Sequence, residues 1–263
     1  MKALPSINAL YNEHKGKGLH VFIVYAQSHD RAETEKFLAA RGIEVPCPHG
    51  DANFNGYRNG WSGLPYAFVI GPDGKVAWEG RKGYEAVISK ELARIKYPGL
   101  GKLEVVKEAE KAATKFGTGD FAGAREDALK LKEKEADKEA VVADADWIIA
   151  RVDAKAASLR KKADDTKAAK RYHETVAALT ELSGKGFKGM EVAEAAATEL
   201  KELKKDKEVS KELKAWDGLA KTLEENKKAK DNQSKKTALN NFAKKNEGTA
   251  AADEAIKLAS ELE

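Results

Sequence analysis

A chain of 263 residues, 42% of them hydrophobic and 34% charged, is long enough for one large core or two modest ones. Its 47 Lys and Arg are interspersed with 43 Asp and Glu to leave a net charge of +4, so no electrostatic stripe argues for nucleic acid. No apolar run approaches the roughly 18 residues a membrane-spanning helix needs, and the single cysteine, Cys47, excludes an intramolecular disulfide, a zinc site of paired cysteines and a dithiol cycle within this chain. The first residues hold one lysine but neither an uninterrupted apolar segment nor a small-residue cleavage site, so they do not read as a signal peptide.

In chain order, Leu4, Ile7, Leu10 and Tyr11 recur at helical spacing, and "HKGKG" supplies Gly16 or Gly18 as a C-cap. "LHVFIVY", residues 19–25, is a near-continuous apolar run that suits a strand covered on both faces. "SHDRAETEKFLAARG" predicts a helix, with Ser28 or Asp30 as N-cap, Phe37 and Leu38 inward and Gly42 as the stop. Two apolar runs, 66–70 and 75–79, flank "GPDG", whose Pro-Asp-Gly turn chemistry predicts a β-hairpin. "GYEAVISKELARI" then reads as an amphipathic helix.

Composition changes at Pro98-Gly99. Five of the six prolines precede it and the last is Pro98 itself; beyond it Ala, Lys, Glu and Leu dominate, and residues 98–263 read as helices. "KEAEKAATKFGTGDFAGAREDALKLKEKE" places Ala112, Phe116, Phe121, Ala124 and Leu129 on two faces about a Gly-Asp turn, similar to a tetratricopeptide helix pair. The theme recurs at the end, with Leu239 and Phe242 before a break at Gly248-Thr249, and Ala255, Ile256, Ala259 and Leu262 after it. No strict repeat period is visible between these pairs, and no a/d heptad is sustained. Such stacked pairs either present a concave face to a protein partner or pack only on themselves.

The order helix, strand, helix, loop, Gly-x-Pro, hairpin, helix over residues 1–97 resembles the thioredoxin fold, and within it the TlpA-like bacterial thiol-disulfide oxidoreductases, or redoxins. "LPSINALYNEHKGKGLHVFIVY" matches the stretch that follows the family's Trp-Cys-x-x-Cys, and "GLPYAFVIGPDGKVAWEGR" matches the segment that begins at its cis-proline. Aligned on Pro5, the family's second active-site cysteine would fall immediately before Met1. The expected architecture is therefore an α/β thioredoxin-like domain, 1–97, N-terminally truncated and without its central strand and Cys-x-x-Cys, followed by an all-α, helical-repeat-like domain, 98–263.

Removing a central strand leaves its two neighbours roughly 9.6 Å apart. Each buried unpaired backbone group costs about 1–3 kcal/mol, so such a sheet must close up, borrow a strand or remain marginal, and a domain-swapped dimer is one way to borrow. In the family the first cysteine is activated at a helix N-terminus and the second resolves the mixed disulfide; neither is present here. The resemblance retains the substrate platform Leu64-Pro65, whose backbone meets the substrate chain in the manner of an added strand. It calls for no cofactor, and it implies a bacterial periplasm or cell-envelope setting for a full-length form.

Three readings of Cys47 stand open, from "EVPCPHGDANF": an inert buried thiol, a reactive thiol beside His49, or a metal ligand with His29, His49 and Asp51. Trp61 and Trp78 read as packing residues, and His14, His20 and His173 as isolated, solvent-facing side chains. Two functions follow: an oxidoreductase-family protein, inactive as this chain is written, with a protein thiol as its kind of substrate; or a non-catalytic interaction protein in which a degenerate thioredoxin-like module carries a helical array that docks a protein partner.

Overall fold

The computed structural model of the protein describes residues 4–24, 33, 34, 37, 38, 42, 43, 45–47, 66–226 and 231–262. They are mostly helical, with one two-stranded antiparallel sheet. Helix α1 is Leu4–His14, and a 3-10 turn at Lys15–Lys17 ends on Gly18 with φ 100°. That left-handed conformation, and an approach of 3.3 Å between Ile95 and the place a Cβ would occupy, both select glycine.

The expected strand at 19–25 is not formed over its described part. Residues 19–24 belong to no ladder, and Tyr25 lies outside the described residues. Among the described residues, the backbone bond that ties them to a distant part of the chain runs from the Ile23 amide to Pro46 O, 2.9 Å. The apolar alternation is nevertheless used: Val21 and Ile23 pack on a cluster of Leu38, Ile43 and Val45, together with Leu4, Ile7, Tyr11, Phe37 and Cys47, while Phe22 points outward, 64% exposed. The hydrophobic pattern places one face of the segment against a core, but a strand also needs a neighbour to take up its hydrogen bonds.

The hairpin forms where its turn residues predict. Strands β1 (Ala67–Ile70) and β2 (Val76–Gly80) pair Phe68 with Glu79 and Val69 with Trp78, with an irregularity between Val69 and Ile70. In the turn, Gly71 N donates to Lys75 O and Gly74 N to Gly71 O, and Gly74 takes φ 76°. Helix α2 (Tyr84–Ala93) packs on both strands; Trp78 meets Tyr84 edge-on, as a packing residue does, with centroids 5.9 Å apart. Arg94 joins helix to hairpin by pairing with Glu91 and with Asp73 in the turn. The Lys75 amide and then Arg94 hold the Asp73 carboxyl below the usual aspartate range.

The remaining helices are α3 (Glu110–Gly117), α4 (Phe121–Lys134), α5 (Glu139–Ala168), α6 (Tyr172–Leu182), α7 (Glu191–Lys205), α8 (Lys207–Asn226), α9 (Asn232–Lys245) and α10 (Ala250–Ser260). Their lengths run from 8 to 30 residues, so no uniform repeat organises them.

The chain forms two compact units, residues 1–119 with 127–148, and residues 120–126 with 149–263. The compositional change at Pro98-Gly99 thus lies inside the first unit rather than between the two. The physical reason is a strap. Leu100 is fully buried, its carbonyl accepts the Trp147 indole N–H at 2.8 Å, and buried Asp144 accepts both the Val106 amide and the Lys102 ammonium. Composition marks where strand formers stop, whereas these long-range bonds decide what the following segment packs on.

In the second unit, α6 packs on α7 and α8, and α8, α9 and α10 enclose a cluster built on Leu219, Leu239, Phe242, Ala251, Ala255 and Ala259. Arg160 and Lys167 of α5 share Glu199 of α7 at 2.6 Å each.

Candidate functional site

Of the residues singled out from sequence, Cys47 is described; Leu64, Pro65, Trp61, His29, His49 and Asp51 lie outside the described residues. Cys47 forms no disulfide and is half-buried at the edge of the apolar cluster of the first unit. Among the described residues no group of three His, Cys, Asp or Glu side chains could hold a metal ion.

The expectation for the histidines is corrected at two positions. The His14 side chain is only 13% exposed, with its Nε2 3.4 Å from Glu13 and its Nδ1 3.4 Å from the Lys17 ammonium. His20 is exposed, but His173, in the first turn of α6, stacks on Trp216 of α8 with ring centroids 3.8 Å apart and planes at 26°. His173 Nδ1 and Trp216 Nε1 are both buried without a hydrogen-bond partner. Burial pushes the imidazole below the ordinary histidine value; Glu174, Glu212 and Glu254 oppose that shift and Arg171 adds to it. At neutral pH the ring is thus an uncharged stacking group. Sequence reasoning missed it because α6 and α8 meet only in the folded chain.

Among the described residues of the second unit are a cleft and a groove. A cleft of about 300 Å3 follows the end of α5, lined by Ser158, Lys161, Lys162, Asp165, Thr166, Arg171 and Glu174. Its charges largely close on each other, Lys161 on Asp165 at 2.6 Å and Arg171 on Glu174 at 2.8 Å.

The larger, about 420 Å3, is a groove lined by Asn240, Ala243, Lys244 and Glu247, on α9 and the turn after it, and by Ile256 of α10. Each wall has a sequence cause. Asp231 caps α9 by accepting the Ser234 amide at 2.7 Å and the Ser234 hydroxyl at 2.9 Å. Gly248 (φ 78°) reverses the chain, and Thr249 restarts the helix by accepting the Ala252 amide. Glu212 of α8 accepts a second α10 amide, that of Ala251, at 3.2 Å.

Ile256 departs from the expectation that it lies on the apolar face of the last helix. The buried stripe of α10 is Ala251, Ala252, Ala255 and Ala259, whereas Ile256 is 54% exposed. Small side chains let α10 approach α8 and α9 closely, and the helical turn then carries the next residue out of the contact.

The charged residues lining the groove are Lys244 and Glu247. Between Asn232 and Lys245, α9 holds Lys235, Lys236, Lys244 and Lys245 and no acidic residue, in a chain whose charges otherwise nearly balance. Lys236, Asn240 and Lys244, spaced i, i+4 and i+8, share one face. The sequence carried this signal in the missing acids of "NQSKKTALNNFAKK"; the exposed isoleucine beside it had none. No family model, curated protein or solved structure matches the chain.

Proposed function

We propose that this chain is a non-catalytic interaction protein, in which a thioredoxin-like module related to TlpA-like thiol-disulfide oxidoreductases accompanies helices that dock a protein partner. The observation that carries the reading is the thiol inventory. The chain has one cysteine, and that side chain is half-buried against the cluster of Leu38, Ile43 and Val45, with no second thiol in the chain to resolve a mixed disulfide. The hairpin followed at once by α2 supports the thioredoxin-like part, since that is the order the family places after its cis-proline. Leu64 and Pro65 keep the role the resemblance implies, a backbone platform for an extended partner segment. The helix pairs α3–α4 and α9–α10 support a tetratricopeptide-like docking role.

The test is insulin reduction by the purified full chain, with dithiothreitol as reductant, compared with Cys47→Ser. The expected result is turnover no faster than the reductant alone for both proteins. Turnover by the parent that Cys47→Ser abolishes would establish Cys47 as a redox group and overturn the reading.

A further inference from the structure

We propose that the His173–Trp216 stack is an acid-opened clasp between α6 and α8: a second proton on the imidazole parts the two rings and uncovers the face of the Trp216 indole. The proposal goes beyond the docking reading and does not depend on what the helices dock.

The stack is close but incompletely satisfied. Its ring centroids lie 3.8 Å apart with the planes at 26°, at a place where α6 packs on α8. Among the described residues, the buried side-chain nitrogens without a hydrogen-bond partner are His173 Nδ1 and Trp216 Nε1, one in each ring. Buried polar atoms are ordinarily paired, and one left unpaired carries the cost of its lost water. Both nitrogens regain that water if the rings part, so the closed junction is held against a standing cost.

The protonation state of the imidazole decides whether the cost is met. A neutral ring keeps its one proton on Nε2, which lies 3.9 Å from Glu174 Oε1, and leaves Nδ1 as a bare lone pair. The imidazolium has no such choice, because both of its nitrogens are donors. Its Nδ1–H is then a buried donor with no acceptor in the stack. An imidazolium is attracted to an indole face, but that attraction gives Nδ1 no acceptor, whereas water does.

The charged groups facing the ring are Arg171 and Glu174 at the start of its own helix, Glu212 from α8 and Glu254 from α10. The three carboxylates favour the cation, yet each has another cation or donor beside it. Glu174 pairs with Arg171 at 2.8 Å, Glu212 accepts the Ala251 amide at 3.2 Å, and Glu254 lies 3.8 Å from the Lys257 ammonium. Burial outweighs them and lowers the imidazole pKa, in the direction the unpaired Nδ1 requires. Trp216 also packs against the α8–α10 cluster, whose buried members are Ala, Leu and Phe side chains with no titratable group. Acid therefore acts on the imidazole side of the indole and leaves the cluster on its other contacts closed.

The experiment follows the Trp216 indole N–H by NMR in the uniformly nitrogen-15-labelled full chain, the signal being identified by its loss in Trp216→Phe. The titration runs from about pH 7.5 to 5 and records the His173 ring nitrogens in parallel. The expected result is that the Trp216 signal shifts as His173 takes up its proton, with a midpoint below about 6.5. The nuclear Overhauser contact between the two rings is lost over the same range, while the amide signals of α9 and α10 and the far-UV circular dichroism stay in place. His173→Phe, which keeps a ring and cannot be protonated, should hold the Trp216 signal constant to pH 5. His173→Gln, which has no ring to stack, should give the open position at both ends of the titration. A ring contact that survives protonation of His173 would overturn the proposal, as would the same shift in His173→Phe. So would a shift accompanied by loss of the α9 and α10 signals, which is acid unfolding of the whole unit and not the opening of a clasp.

Discussion

His173 shows how one side chain acquires a property its neighbours in sequence do not give it. "RYHETV" reads as an ordinary solvent-facing helix start, yet α8 supplies Trp216 as a lid over the ring. Burial lowers the imidazole pKa in the folded state, so the unfolded chain binds the proton more tightly. Between the unfolded value, about 6.5, and the lower folded one, the unfolded state carries more protons, and stability falls as pH falls. The melting temperature of the protein should therefore drop on acidification from about pH 7 to 5, and His173→Phe, which keeps an aromatic ring on Trp216, should flatten that slope. An unchanged slope would assign the acid sensitivity to other groups. Asp127, held low by Lys115 and Lys111, and Glu199, held low by Lys167 and Arg160, act at more acidic pH, since their folded values lie below the ordinary carboxylate values.

The end of α5 is the clearest case of an element whose local rule is broken. Arg171 N donates to Thr166 O and Lys170 N to Lys167 O, the pair of bonds that defines a Schellman cap. The left-handed position of that cap, φ 56°, is occupied by Lys170 where glycine is the usual residue. Lys170→Gly should stabilise the protein by about 1 kcal/mol, seen as a higher urea midpoint at unchanged slope. A lower midpoint would mean that the lysine side chain stabilises the turn through contacts of its own. The same turn lies above the buried hydroxyl pair of Thr166 and Thr175, 2.9 Å apart, which joins α5 to α6. By contrast α9 and α10 obey their rules: Asp231 and Thr249 cap them, as Ser, Thr, Asp and Asn do before helices generally.

At the scale of the whole molecule, the described parts differ in how well they are tied down. Among the described residues, 19–24 make one backbone bond to a distant part of the chain, whereas α8, α9 and α10 are continuous helices that enclose an apolar cluster. Local opening free energies range from near zero in weakly tied segments to the global value in cores. Amides 19–24 should therefore exchange with deuterium first and those of α8 to α10 last; uniform protection across 19–24, 67–70 and the helices would refute this. Much of the local structure was legible in the sequence. The hairpin followed from Pro72, Asp73 and Gly74, α1 and α2 from their apolar spacing, and the helical second part from its lack of proline and wealth of Ala, Glu, Leu and Lys, because turn chemistry, helix capping and periodicity act over a few residues. The basic face of α9 could also be counted directly. What only the tertiary structure decided was which of these local tendencies met a partner. Residues 19–24 have a strand's composition and no ladder, Ile256 has a core residue's character and an exposed position, His173 a surface residue's context and a stacked ring, and the segment after Pro98 is fastened by Asp144 and Trp147, some forty residues away. Burial and hydrogen bonding between distant segments depend on how packed elements approach one another, and that distance is not written in any single stretch of the chain.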